Sequence, residues 1–428
     1  MKITILAGGT RGDVGPYTGI GVRLRDAGHD VTFATHQPFA DLVRGCGLDF
    51  QSIPGDLREV LASVVFQRWQ RVSPSAVAQM GRAGRITAML GHVAGMMREI
   101  GDGVVNVVEQ GADLLLLSNT LAPLSYHLAE DLGTPSIGVY WGPLEPTGRF
   151  PPIMAGYRSL GQWGNRTTSA FALRMMDAVY AGAVRRQRAS LGLRPISLRQ
   201  LRRRQRQRRW PILHGFSPAV VPRPDDWRPG LEVVGYWWPY RSPAWRPPAG
   251  LVEFLEAGPP PVFIGFGSMA PDDAEQLGSL AVAALRRAGV RGVIQAGWAG
   301  LAASDDEVIG IGDTPHDWLF PRMAAIVHHA GAGTTGAALR AGRPAVPVPV
   351  MIDQFFWAAR LAALGVAPQP IPFARLSAER LARAIREALD HPDLGQRAAA
   401  LARKINTEDG AGCVVDAVRR IQRSQDLC

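Results

Sequence analysis

The sequence predicts an α/β protein of two doubly wound, parallel-sheet domains that face each other across a central cleft. Three observations carry that expectation. Short apolar runs alternate with helix-length amphipathic stretches in two separate series, a proline-dense break divides the series, and a glycine-rich turn closes the first strand of each. Alternation at this spacing implies parallel strands joined by right-handed crossovers, with ligands gathering at the carboxyl ends of the strands.

The first series spans 1–221. Residues 3–7 form a strand-like apolar run that ends in Gly8-Gly9-Thr10-Arg11-Gly12-Asp13. Pro16 suits a helix start, and Gly28 can end that helix. A strand at 31–35 follows, then strands at 113–118 and 136–140 flanking a helix at 121–132. Stretches 57–100 and 150–192 are amphipathic, helix-rich and well supplied with Met, Trp and Phe. They read either as walls of an apolar pocket or as ordinary packing helices.

Residues 222–261 carry ten prolines, from Pro222 to Pro261, and four tryptophans. Proline at that density interrupts helices and central strands, so this stretch reads as a linker. The second series, 262–408, then restarts the alternation. Strands are expected at 262–266, 292–295, 325–329 and 345–348, with helices at 273–288, 334–341, 354–364 and 377–390 and two more to the end.

Composition narrows the function classes. With 428 residues, 46% of them hydrophobic and 20% charged, the chain has an ordinary globular balance and room for two or three units. Apolar runs such as 114–117 are far short of a membrane span, and Met1-Lys2 leads straight into a strand rather than a signal peptide. Three dispersed cysteines form neither a disulfide framework nor a metal pattern, so a cytoplasmic location is expected. The net charge of +10 is almost all arginine, since only Lys2 and Lys404 are lysines. Its densest run, 194–209, reads as a solvated face or as a peripheral contact with anionic lipid. Aromatic residues are not interleaved with it, which argues against nucleic acid.

The strongest chemical signal is His328-His329-Ala330-Gly331-Ala332-Gly333-Thr334-Thr335, where a strand passes into a helix. Such a junction points free backbone N–H groups and the positive end of a helix dipole at an anion. Glycine lets the backbone approach a diphosphate closely, while His329 and Thr334 add side-chain donors. The turn Gly265-Phe266-Gly267-Ser268-Met269 offers a second phosphate contact through Ser268, or is simply a tight turn. Asp353-Gln354 pairs a carboxylate with an amide, which suits sugar hydroxyls; an N-cap is the alternative. Asp13, past the first strand, can take a proton from an incoming hydroxyl or cap the helix. Arg11 beside it would hold Asp13 ionised, contact a phosphate or stand in a solvated turn. The dinucleotide pattern G-x-G-x-x-G and its closing acid are absent, and no Asp-x-Asp or His/Cys cluster suggests a metal.

Six segments occur in an order that is similar to a known family. They are Gly9-Thr10-Arg11-Gly12-Asp13-Val14, Gly215-Phe216-Ser217-Pro218, Gly265-Phe266-Gly267-Ser268-Met269, Pro315-His316-Asp317-Trp318-Leu319-Phe320-Pro321, the stretch 328–335, and Asp353-Gln354-Phe355-Phe356-Trp357. Together they resemble the sterol-glucosyltransferase-like branch of the family 1/28 glycosyltransferases, whose relatives include bacterial enzymes that glycosylate antibiotic aglycones. The resemblance implies a GT-B fold of two Rossmann-like domains, with the acceptor in 1–221, the donor in 262–408, and 409–428 as a helix returning to the first domain. It implies Asp13 as catalytic base, with Thr10, Arg11 and Gly12 nearby. Ser268, His329, Gly331, Gly333 and Thr334 would hold the diphosphate, and Asp353 and Gln354 the sugar. Relatives stack the base on a W-x-P-Q segment. Here that segment reads Asp313-Thr314-Pro315-His316, which leaves Thr314 and His316 beside the base. Plant-type members orient a histidine base with an aspartate, whereas Ser118-Asn119 offers no carboxylate.

The expected activity is inverting, metal-independent transfer of a hexose or deoxyhexose from a UDP- or TDP-sugar to a hydroxyl of a hydrophobic natural-product aglycone, without a cofactor. Three alternatives stand beside it: a sterol- or hopanoid-type lipid acceptor at a membrane surface, a non-catalytic auxiliary protein, and a GT-B epimerase acting on the nucleotide sugar.

Overall fold

A computed structural model describes residues 1–55, 82–154, 158–267, 274–295 and 307–425. The chain divides into two compact units. Of the described residues, the first takes those up to Ser242 and those from Glu408 onward, the second those from Pro243 to Thr407.

In the first unit, β1 (Lys2–Leu6), α1 (Arg11–Asp26), β2 (Asp30–His36), α2 (Ala40–Arg44) and β3 (Asp49–Ile53) precede α3 (Arg82–Glu109). Next come β4 (Leu114–Ser118), α4 (Ala122–Leu132), β5 (Ser136–Tyr140), α5 (Gly161–Ser190), α6 (Leu198–Gln207), β6 (Ile212–His214) and β7 (Leu231–Val233). The described strands form one parallel sheet in the order β3-β2-β1-β4-β5-β6-β7. Its centre is unbroken apolar sequence: every residue of β4 is buried, as strands covered on both faces require. Registers such as Leu6↔Ala34 and Leu6↔Leu117 bring the turn after β1 between the ends of β2 and β4.

The second unit holds α7 (Ala249–Glu256), β8 (Val262–Gly265), α8 (Ala274–Ala288), β9 (Gly292–Gln295), β10 (Val308–Ile311) and α9 (His316–Leu319). It continues with β11 (Ala325–His328), α10 (Ala332–Ala341), β12 (Ala345–Pro347), α11 (Gln354–Ala363), α12 (Ala378–Asp390) and α13 (Pro392–Ile405). Its parallel sheet runs β10-β9-β8-β11-β12. Alternate residues of β8 face opposite layers: Val262 and Ile264 pack with Leu285 and Ile385, while Phe263 packs with Phe320 and Ile326. The last described helix, α14 (Gly410–Gln425), packs on α1. Trp237 Nε1 donates to the Gly410 carbonyl at 3.2 Å, Ser217 Oγ donates to Glu408 Oε1, and Arg23 pairs with Asp409 at 2.6 Å.

Two expectations are corrected. α1 begins at Arg11, so Pro16 lies inside the helix and Asp13 in its first turn. Thr10 and Asp13 form a capping box that nucleates the helix ahead of the proline. The stretch 222–261 is not all linker, because it contains β7 and α7. β7 is tolerated there as a three-residue edge strand between Pro229 and Pro239, where missing donors cost little. The arginine run 194–209 is the solvated face that its composition implies: of its arginines only Arg202 is half-buried and the others are exposed. Arg202 sends Nε and a terminal N–H to Asp177 on α5, and Arg204 and Arg208 both pair with Glu130 on α4. Arg202→Met strands the mostly buried Asp177 carboxylate and is expected to cost on the order of 2 kcal/mol. A lower melting temperature with unchanged catalytic constants is the expected outcome; unchanged melting refutes a structural role for the pair. Of the amphipathic stretch 57–100, residues 57–81 lie outside the described residues, while α3 and α5 confirm the helices elsewhere.

Candidate active site

In the first unit the site grows from the turn after β1. Thr10 is the N-cap of α1 in extended conformation, and its backbone N–H and hydroxyl both donate to Asp13 Oδ2, at 2.7 and 2.9 Å. Gly9 makes this possible. Its φ is +138°, and a Cβ there would stand 2.4 Å from Asp13 Oδ2. Burial pushes the Asp13 carboxyl above the ordinary range, against the two Thr10 hydrogen bonds that pull it down. The residue as a whole is half-buried. Arg11 and Gly12 are exposed in the same turn, and Pro16 supplies no N–H to the Gly12 carbonyl. Capping and proton acceptance are therefore compatible roles for one side chain.

Two neighbours were not singled out by the sequence reading. His36 ends β2, is buried, and stands against the same turn: a Cβ on Gly8 would lie 3.2 Å from its Nε2. Asn119 follows β4, and its buried Oδ1 has no hydrogen-bond partner among the described residues. The signal that could have found both is position, since each stands at the carboxyl end of a strand beside β1.

In the second unit, β11 runs directly into 328–335. His328 is fully buried and its Nδ1 accepts the Ala330 N–H at 3.1 Å. Ala330 is left-handed, with φ of 62°. Gly331 is the N-cap of α10 and has no side chain to occupy the first-turn N–H groups; Thr335 N–H already donates to its carbonyl at 2.9 Å. The His329 ring is clamped between glycines. A Cβ on Gly267, whose φ is +62°, or on Gly331 would each come within 2.5 Å of it. Burial lowers His329 to about 4, so the ring is neutral at physiological pH. Its Nδ1 has no hydrogen-bond partner among the described residues. Gly333 is exposed and Thr334 half-buried. Ser268 lies outside the described residues, next to Gly267.

The sugar-contact pair is less symmetric than its sequence implies. Gln354 Oε1 accepts the backbone N–H groups of Val350 and Met351 at 2.8 and 3.1 Å, so its carbonyl closes the turn before α11. Only the Gln354 NH₂ remains to donate. Asp353 is the half-buried N-cap position of α11 and follows left-handed Ile352. Thr314 is buried and its hydroxyl donates to the Gly312 carbonyl at 3.3 Å. The His316 ring stacks on Phe320 at 4.2 Å, with Nε2 3.3 Å from Gln295 Oε1. Among the described residues no three His, Cys, Asp or Glu side chains gather as metal ligands would, and no helix is long and apolar enough to cross a membrane.

Residues 3–94 match the glycosyltransferase family 28 N-terminal domain, and residues 296–419 the C-terminal domain of erythromycin biosynthesis protein CIII-like proteins. Sterol 3-beta-glucosyltransferase UGT80B1 of Arabidopsis thaliana is 34% identical over 98% of this chain and 68% of its own length. O-mycaminosyltylonolide 6-deoxyallosyltransferase of Streptomyces fradiae is 34% identical over 97% of this chain and 96% of its own. Among solved structures, the glycotransferase of kitacinnamycin superposes with a TM-score of 0.69 at 18% identity, covering 98% of each chain. The glycosyltransferase VinC in complex with dTDP gives 0.65 at 19% identity, covering 99% of this chain and 100% of its own. Two parallel-sheet units of this order are the GT-B architecture that these structures share. The chain belongs to the nucleotide-sugar-dependent glycosyltransferases built from a family 28 N-terminal domain and an erythromycin CIII-like C-terminal domain.

Proposed function

We propose that this glycosyltransferase moves a hexose or deoxyhexose from a UDP- or TDP-sugar to a hydroxyl of a hydrophobic natural-product aglycone, with inversion and without a metal ion. The observation that carries the donor half is the 328–335 corner, where uncapped first-turn N–H groups adjoin a neutral histidine clamped by two glycines. Fixed dipoles of that kind stabilise charge growing on a departing diphosphate without reorganising. Ser268, Gly333 and Thr334 complete the phosphate contacts, Asp353 accepts from sugar hydroxyls, and Gln354 donates to them through its free NH₂. Thr314, whose hydroxyl proton goes to the Gly312 carbonyl, can offer the base subsite only an acceptor; His316 offers the edge of a ring held by Phe320.

On the acceptor side, Asp13 takes the proton of the attacking hydroxyl as the bond to the anomeric carbon forms. Phe150, Ile153, Met154, Leu173 and Met176 line a small cleft of about 30 Å³ in the first unit, too small as it stands for an aglycone, so the acceptor reading rests on the relatives. The Streptomyces relative, named for transfer to a tylonolide, and the neighbour holding dTDP favour a TDP-sugar and an aglycone of this kind. A sterol-type lipid is the second reading, favoured by the equal identity to the Arabidopsis enzyme. Mass-spectrometric screening of UDP- and TDP-sugars against macrolide aglycones and sterols decides between them. A glycosylated aglycone is the expected product; turnover of sterol alone selects the second reading, and no product from any pair refutes both.

A further inference from the structure

We infer that His328 is a positioning residue for the diphosphate corner, acting through its hydrogen bond to the backbone of Ala330 and not through the nucleotide. The inference rests on the proposed role of 328–335 in donor binding. His328 ends β11, held in register with Gly265 of β8 and Pro347 of β12, and its carbonyl accepts the Val348 N–H at 2.8 Å. Its backbone is thus fixed on both sides, and its side chain is completely buried.

One hydrogen bond joins the ring to the loop among the described residues. Ala330 N–H donates to His328 Nδ1, so that nitrogen carries no proton and the neutral ring holds its hydrogen on Nε2. Burial keeps the ring neutral, with its pKa lowered to about 3. Nε2–H has no hydrogen-bond partner among the described residues, so within them the Ala330 bond is what orients the tautomer.

That bond sits where the backbone needs it. Among the described residues only Arg209, Ala330 and Ile352 are non-glycines with positive φ. A Cβ makes this conformation unfavourable, and glycine would adopt it freely. The left-handed turn at Ala330 delivers Gly331 in extended conformation as the N-cap and lets α10 start at Ala332. It also sets Gly331 against the His329 ring. Release of Ala330 would therefore turn the first-turn N–H groups and His329 away from the diphosphate together.

The test exploits the geometry of two amides. In His328→Asn the side-chain oxygen reaches the position of Nδ1 and can accept the Ala330 N–H; in His328→Gln the amide reaches only the position of Nε2. Calorimetry with UDP and TDP is expected to give His328→Asn an affinity within about threefold of wild type and His328→Gln a loss of about tenfold. Adding Ala330→Gly, which removes the conformational cost, should restore most of that loss in the Gln background. Equal affinities of the Asn and Gln variants, or failure of Ala330→Gly to restore binding, overturns the inference. So does loss of folding in both single variants, since ring packing would then be the requirement. If wild type binds neither nucleotide, the donor-site reading is what falls instead.

Discussion

Asp13→Asn is expected to lower kcat by about 100- to 10,000-fold while leaving UDP and TDP affinity unchanged, the range a positioned general base supplies. Asn keeps the shape of the side chain and an oxygen that can accept from Thr10, so the capping box of α1 survives in outline. The amide cannot take a proton, so the loss reports chemistry. Burial raises the Asp13 pKa, which fixes the pH dependence. The charged form is the active one, so kcat/KM falls as pH drops through a value above the ordinary ~3.9 of an aspartate. The Asn variant lacks that limb. Stability runs the other way. A carboxyl whose folded pKa is raised binds its proton more tightly in the native state, so its contribution is full below the unfolded pKa and is lost as pH rises through the folded one. At neutral pH the ionised Asp13 therefore works against folding, and the Asn variant should melt no lower than wild type. A variant with wild-type kcat removes Asp13 from catalysis, and one that melts several degrees lower assigns the lost activity to the cap instead.

What the sequence disclosed follows from where the physics is local. β4, with four consecutive leucines, and β1 are continuous apolar runs, so their strands and the parallel alternation were legible. β3, β6, β7 and β10 are not legible because Asp49, Gln51 and Ser52, His214, Glu232 and Gly310 interrupt their apolar runs, and they draw their stability from neighbours in the sheet. α1 starts at Arg11 and not at Pro16 because the Thr10–Asp13 capping box nucleates the helix three residues before the proline is reached. In the site, residue types announced the phosphate corner, since glycines, histidines and threonines rarely share a plain turn. The engagements within it were not readable. That Gln354 spends its carbonyl on Val350 and Met351, or that Ala330 is left-handed, depends on backbone geometry set by β11 and β12. The anchoring of the solvated arginine run was hidden in the same way, because Asp177 and Glu130 lie 25 and 74 residues from their partners Arg202 and Arg204.

His329→Ala is expected to reduce kcat by about 100- to 1,000-fold, the loss seen when one preorganised donor to a developing oxyanion is removed. Nucleotide affinity should weaken as well, because the ring also fills the space between Gly267 and Gly331. The charge state separates this histidine from a cationic phosphate binder. With its pKa lowered to about 4 by burial, His329 donates as a neutral imidazole and does not change form between about pH 5 and 8. Affinity for the intact nucleotide sugar, whose diphosphate has no group titrating in that window, should therefore be flat across it. An affinity that declines as pH rises through about 6.5 would mean that the charged ring binds the diphosphate, and the neutral-donor account would fail. Amide replacements locate the donating atom: His329→Asn offers an N–H near Nδ1 and His329→Gln one near Nε2. Recovery of kcat by one and not the other identifies the nitrogen. If Ala, Asn and Gln all retain wild-type kcat, the clamped ring serves only to hold the two glycine turns apart, and charge on the leaving diphosphate must be met by the first turn of α10 alone.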